Sequence, residues 1–275
     1  MIVCPIVCAD LDRTLIYSAN ALDLRSETPR LLCVEIYKGA PLSYMTETAA
    51  ELLRSLTAHV VPTTTRTLEQ LARVRLPGPP SRYAIASNGG HLLVDGVPDP
   101  AWSTRVAARL AGCAPLAEVE SHLRATAGPF VLTLRVASDL FAYAVVDRPA
   151  LPDGWVDALA AWCAPRGWTV SLQGRKVYAV PRPLTKAAAA LEIRERLGGD
   201  TLLAAGDSLL DADLLDAADA AIRPAHGELA EAGFTRDHLT VTDTIGVRAG
   251  EEMLAWMHAR VRTRRTTPSW RCGTS

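Results

Sequence analysis

Residues 7–15 read VCADLDRTL, and they set two carboxylates, Asp10 and Asp12, one residue apart at the end of an apolar run. The run, residues 2–9 (IVCPIVCA), is continuously apolar and rich in Val and Ile, the pattern of a strand buried on both faces of a parallel sheet. Pro5 cannot donate to a ladder, so regular pairing is expected just after it. Two acids at the mouth of such a strand repel each other. Something must offset that repulsion.

Working outward, residues 32–46 read as a hairpin turning at Lys38-Gly39-Ala40-Pro41. Thr46 is placed to cap a helix over TETAAELLRSL, with Glu47 in its first turn. HVVPTTTRT gives a second strand ending in hydroxyls, TLEQLARVRL a helix, and RYAIASNGG a third strand with a polar, glycine-rich exit. The rhythm then changes. An Ala-rich helical stretch over 101–126, strands FVLTLRVA and FAYAVVD, a helix near 153–165, and strands WTVSLQG and KVYAVP make helix-strand-strand twice. This predicts an inserted α+β cap over 91–180, with helices on one side of an antiparallel sheet. The alternating pattern resumes with LTKAAAALEIRERLG, capped by Thr185 and stopped by Gly198-Gly199, then DTLLAAGD, LLDADLLDAA, a strand–helix pair over 218–233, and LTVTDT. Residues 261–275 (VRTRRTTPSWRCGTS) read as a basic, polar, frayed tail. The expected fold is α/β: a doubly wound, Rossmann-like parallel core from 1–90 and 181–275, interrupted by the cap.

Bulk properties narrow the partners. A net charge of −1 offers no basic surface for nucleic acid or anionic membrane, and no stretch is long and apolar enough for a membrane span. The six cysteines form no CxxC pair or zinc-like cluster, which fits a reducing cytoplasm, and no leader pattern opens the chain. Apart from Lys38, Lys176 and Lys186, every basic residue is arginine, so the place of each lysine is informative. Oligomeric state is not legible.

In doubly wound sheets, ligands bind outside the carboxyl ends of the strands. Every polar cluster singled out falls there: Asp10 and Asp12, Thr63 to Thr65, Ser87 and Asn88, Asp207 and Asp211. Four converging carboxylates with no nearby His or Cys favour a hard cation, Mg²⁺, over zinc. Hydroxyls and Lys186 on the same rim add donors and positive charge suited to a phosphoryl group, and an aspartate can serve as nucleophile.

The sequence resembles the haloacid dehalogenase-like (HAD) hydrolase superfamily. Its four motifs occur in order: VCADLDRTL for the DxDx[TV] strand, VVPTTTRT for the strand ending in Ser or Thr, Lys186 in PLTKAAAAL, and GDSLLD, residues 206–211, for GDxxxD. The cap's position and the SNGG loop resemble the Cof-like, sucrose-phosphatase-like and mannosylglycerate-phosphatase-like branch. The resemblance implies Asp10 as nucleophile and Asp12 as general acid, then base. It implies Mg²⁺ held by Asp10, Asp207 and the Asp12 carbonyl, with Asp211 behind them or holding a metal-bound water. Thr64 (Thr63 as the fallback) and Lys186 would bind phosphate. Arg13, where relatives carry glycine, Arg66 and Asn88 are candidate substrate contacts. Arg175 and Lys176 read first as a solvated turn, and the histidines lie on no motif. The expected activity is Mg²⁺-dependent hydrolysis of a small phosphorylated metabolite, a sugar or polyol phosphate, through an aspartyl-phosphate. A phosphomutase, or a catalytically weak protein that senses a phosphometabolite, are the alternatives.

Overall fold

The structure, a computed structural model, describes residues 5–25, 28–199 and 201–265. Strand β1 (Ile6–Ala9) is buried at every position, beginning directly after Pro5. Its side chains alternate between two cores. Ile6 and Cys8 pack in one apolar cluster, and Val7 and Ala9 in another on the opposite face. This is the period of two that a strand covered on both faces requires.

The chain then forms β2 (Tyr17–Ser18), β3 (Leu31–Tyr37) and β4 (Ala40–Thr46), a three-stranded antiparallel sheet of order β2-β4-β3. The β3–β4 turn is Lys38-Gly39, both at positive φ (51° and 78°), as a two-residue hairpin turn demands. Helix α1 (Glu47–Ser55) starts at the expected cap: Thr46 Oγ1 accepts the Ala49 N–H at 3.0 Å. After β5 (His59–Pro62), helix α2 (Leu68–Leu71) is shorter than the sequence suggests.

Strand β6 (Tyr83–Ala86) leaves the parallel sheet. It joins that sheet by a single bridge, Thr63 to Ile85, and pairs antiparallel with β7 (His91–Val94), which pairs with β8 (Val97–Pro98). Helices α3 (Pro100–Leu110) and α4 (Leu116–Thr126) precede β9 (Val131–Ala137) and β10 (Phe141–Val146). Helix α5 (Trp155–Cys163) precedes β11 (Trp168–Gln173) and β12 (Lys176–Pro181). The four strands form an antiparallel sheet of order β11-β12-β10-β9, the two αββ units of the expected cap.

The chain returns with α6 (Lys186–Leu197), capped by Thr185 Oγ1 on Ala188 N–H and ended by Gly198 at φ 59°. Next come β13 (Leu202–Ala205), α7 (Ala212–Asp216), β14 (Ala220–Arg223), α8 (Glu228–Glu231), β15 (Leu239–Val241) and α9 (Val247–Arg265). The core sheet is parallel, of order β15-β14-β13-β1-β5, with β1 between β13 and β5. Residues 261–265, read from sequence as the start of a frayed tail, continue α9, and Val261 is buried. Residues 266–275 lie outside the described residues.

Between β6 and β7 the SNGG loop folds onto the start of α6. Gly89 has φ 92°, and a Cβ there would stand 2.0 Å from the Thr185 carbonyl oxygen. Only glycine fits. Gly89→Ala is expected to cost roughly 3 kcal/mol or more of stability, from overpacking and a left-handed backbone together. Thermal denaturation checks this; a change under roughly 1 kcal/mol would contradict the close approach.

Candidate active site

The site forms where β1 and β13 end side by side. Ala9 pairs with Ala205 in the ladder, so the residues that follow, Asp10 and Gly206-Asp207, emerge together. Gly206 is needed there, because a Cβ would lie 2.4 Å from Asp211. One carboxylate oxygen from each of Asp10, Asp207 and Asp211 falls within 4.8 Å of the others, and all three residues are buried.

Lys186, the first residue of α6 and itself 1% exposed, donates to Asp10 Oδ1 at 2.6 Å and to Asp211 Oδ1 at 2.5 Å. Burial opposes the ammonium charge, but the two carboxylates outweigh it and hold its pKa above the usual lysine range. Asp10 shows the reverse balance. Burial pushes its carboxyl up to about 7, with Asp211 and Asp12 adding repulsion and Lys186 working against them. Asp207 is driven well above the carboxylate range by burial, then by Asp10 and Asp211.

Asp211 has both oxygens engaged, Oδ1 by Lys186 and Oδ2 by the Ser208 N–H and hydroxyl. The Asp207 side chain, 8% exposed, accepts no hydrogen bond among the described residues; its nearest cation is Arg13, Nε to Oδ2 at 3.5 Å. A buried carboxylate without donors beside two others is a donor set short of positive charge. Hard oxygens from Asp10 and Asp207, with Asp211 behind them, therefore fit Mg²⁺.

Asp12 points elsewhere. Its side chain is 52% exposed to a cavity of about 920 Å³ between core and cap. Arg66 grips it with two bonds, Nε to Oδ2 and Nη2 to Oδ1, each 2.7 Å. Partial desolvation by the surrounding cavity walls works to raise the Asp12 pKa, but the Arg66 bonds and charge, helped by Lys176 and Lys186, hold it below the usual value. Arg66 is held in turn by Glu35 at 2.8 Å. The Glu35 carboxylate has no exposure and accepts also from Ser43 Oγ (2.7 Å) and Arg73 Nε (3.2 Å). Sequence reading passed over Glu35, an ordinary-looking acid in a hairpin strand. The hairpin reaches the cavity through Leu42 and Ser43.

The remaining candidates divide. Thr63 spends its hydroxyl proton on the Val61 carbonyl at 3.0 Å. Thr64 accepts from the Arg66 N–H at 3.1 Å and keeps its proton without an acceptor among the described residues, although Thr65, not Thr64, lies on the cavity wall. Arg13 lines the cavity at φ 62°, a conformation natural to the glycine it replaces. Its carbonyl is held by His226, whose Nδ1 accepts from Gly246 N–H, so that Nε2 donates to Arg13 O at 2.9 Å. Asn88 is not on the cavity. It is 2% exposed, and its amide donates to the Leu184 carbonyl at 2.7 Å, bracing the segment that delivers Lys186. Its side-chain oxygen has no hydrogen-bond partner among the described residues. Gln173, Arg175, Lys176 and Tyr178, from the cap hairpin β11–β12, close the cavity opposite the acids.

No family model and no curated protein matches this sequence. Solved structures do. A sucrose-phosphatase from Synechocystis sp. PCC6803, solved with sucrose and phosphate, is 15% identical, with 92% of this chain covered, 97% of that one, and a TM-score of 0.61. A sugar phosphatase of HAD subclass IIB is 12% identical, with 94% and 99% covered and a TM-score of 0.56. The C-terminal domain of a C. albicans trehalose-6-phosphate phosphatase is 10% identical, with 94% and 93% covered and a TM-score of 0.54. The chain thus has the fold of the HAD superfamily, core and cap together, as its motifs led one to expect.

Proposed function

We propose that this chain is a Mg²⁺-dependent phosphatase that hydrolyses a small phosphorylated metabolite, of the sugar or polyol phosphate class, through an aspartyl-phosphate on Asp10. One observation carries the reading: a buried lysine bonded to two of three clustered aspartates, at the floor of a large cavity, with a fourth aspartate facing that cavity. The solved structures with the same fold include a sucrose-phosphatase and a subclass IIB sugar phosphatase.

On this reading Asp10 and Asp207, with the Asp12 backbone carbonyl, hold the metal. When bound, Mg²⁺ would neutralise charge on the phosphoryl oxygens and offset the repulsion among the acids. A carboxylate oxygen of Asp10 forms a bond to phosphorus as the bond to the leaving oxygen breaks; to give that oxygen a proton, Asp12 must first take one up and release Arg66, whose two bonds hold it ionised. A water then attacks the phosphorus, Asp12 takes its proton, and the acyl-phosphate bond breaks to release orthophosphate and Asp10. Lys186 keeps Asp10 oriented and supplies positive charge. Arg66, fixed by Glu35, holds Asp12 at the cavity, and Thr64, buried off the cavity wall, would reach a phosphoryl oxygen with its free hydroxyl proton only if the loop beside it shifted. The cap excludes water and selects the substrate. No helix among the described residues is long and apolar enough to cross a membrane, and we assign a cytoplasmic location from the four free cysteines of the described residues, Cys8, Cys33, Cys113 and Cys163.

The test is turnover of an aryl phosphate and a broad panel of phosphate esters, with Mg²⁺ and with chelator. Hydrolysis that chelator stops and Mg²⁺ restores is expected. Undiminished turnover in chelator would remove the metal from the account. No turnover across the panel would overturn the phosphatase reading, and an isomerised sugar phosphate without free phosphate would replace it with a mutase.

A further inference from the structure

Three cations of the cavity are balanced by acids. Arg13 stands beside Asp207, Arg66 holds Asp12 and Glu35, and Lys186 holds Asp10 and Asp211. Two form no ion pair among the described residues: Arg175 and Lys176 begin the return of the β11–β12 hairpin, line the same cavity and are exposed, and the Lys176 charge acts on Asp12 only from beyond ion-pair distance. Of the other acids lining the cavity, Asp23 lies 3.8 Å from Arg25, and Glu228 accepts the Leu209 N–H through one oxygen while its other oxygen has no partner among the described residues; neither forms an ion pair with Arg175 or Lys176.

Lys176 also has aromatic neighbours. Its ammonium lies 5.6 Å from the Tyr143 ring centre and 6.0 Å from that of Tyr178. It borders both the main cavity and a smaller one of about 170 Å³, walled by Phe141, Tyr143 and Tyr178, that meets the first at Asp12 and Arg66. Two of the chain's three lysines thus reach the same space, one beneath the acids and one above them. On the phosphatase reading the transferred phosphoryl group has its partners on the core side, Lys186 and the metal. Arg175 and Lys176 have no role in that transfer.

We propose that the substrate carries a second anionic group, a carboxylate or a second phosphate, on its leaving portion, and that Lys176 and Arg175 bind it. This rests on the phosphatase reading. Lys176 adjoins Asp12, the residue assigned to the leaving oxygen, so the second anion sits on the leaving-group side. Tyr143 and Tyr178 present apolar faces to the carbon skeleton that joins the two ends.

Matched esters test this on the purified chain with Mg²⁺: a polyol phosphate against the phosphorylated hydroxy acid of the same length, and a hexose monophosphate against a hexose bisphosphate. The member with the second anion is expected to show about tenfold or higher kcat/KM, mainly through KM, as a charged hydrogen bond in a cavity provides. The arm that shows the gain identifies carboxylate or phosphate. A double variant, Arg175→Gln with Lys176→Gln, is expected to bring the two members within about twofold, and Lys176→Arg with Arg175 intact to keep most of the gain. Equal turnover of both members, with an aryl phosphate still hydrolysed, would overturn this inference and leave the phosphatase standing. A gain undiminished in a folded double variant would overturn it as well. Failure to hydrolyse any ester, aryl phosphate included, would overturn the phosphatase reading and this inference with it.

Discussion

Asp10→Asn is expected to abolish turnover, lowering kcat by about 10⁴-fold or more, while the fold is retained. Asn has the size of Asp and still offers an oxygen to Lys186, which keeps its second partner, Asp211. Burial already disfavours the Asp10 charge, so a neutral amide in its place costs the structure little. Chemistry bears the loss, because an amide oxygen is a poor nucleophile toward phosphorus. Steady-state hydrolysis of an aryl phosphate, alongside thermal denaturation of both proteins, reads the two effects separately. Turnover in a folded Asp10→Asn protein would sink the assignment.

Lys186→Met should damage both stability and activity. The side chain is buried, methionine is close to it in length, and the change removes the cation while keeping most of the volume. Asp10, Asp207 and Asp211 then remain clustered without their buried partner. Breaking such a pair from one side costs about 3–5 kcal/mol, because the surviving charges stay buried. The metal-free variant is expected to melt roughly 6 °C or more below the parent. Added Mg²⁺ should recover part of that difference, since it supplies charge to the same acids. It should not recover activity, expected to fall on the order of 10²–10³-fold with a donor to the reacting groups gone. A metal-free variant as stable as the parent would mean that the two bonds to Lys186 carry little weight.

How much of this was legible beforehand differs residue by residue. Asp10, Asp207 and Lys186 could be placed because each follows a strong local signal: an apolar strand for the two acids, a capped helix for the lysine. Strand ends in a parallel sheet are brought together by the ladder itself, so local reading sufficed. Glu35 could not be found this way. Nothing in LLCVEIY distinguishes it from any solvent-facing strand residue; its burial depends on Arg66 and Arg73, which arrive from a distant stretch. The fate of Asp12 was hidden for the same reason: its partner, Arg66, is 54 positions away. Asn88 does follow a strand exit, and its backbone N–H bonds the Thr64 carbonyl there, but its side-chain bond to Leu184, 96 positions away, has no local signal. Helix α9 escaped because arginines and a histidine crowd its closing turns and mask the apolar stripe of Met253, Met257 and Val261.

The account turns on a covalent phosphoryl group at Asp10, and that species can be sought directly. The purified chain is mixed with an aryl phosphate and Mg²⁺, quenched in acid during turnover, and mapped by peptide mass spectrometry. A phosphoryl adduct on Asp10, absent from the Asp10→Asn protein, is the predicted result. Hydrolysis with no adduct, or with the adduct on any other residue, would contradict it.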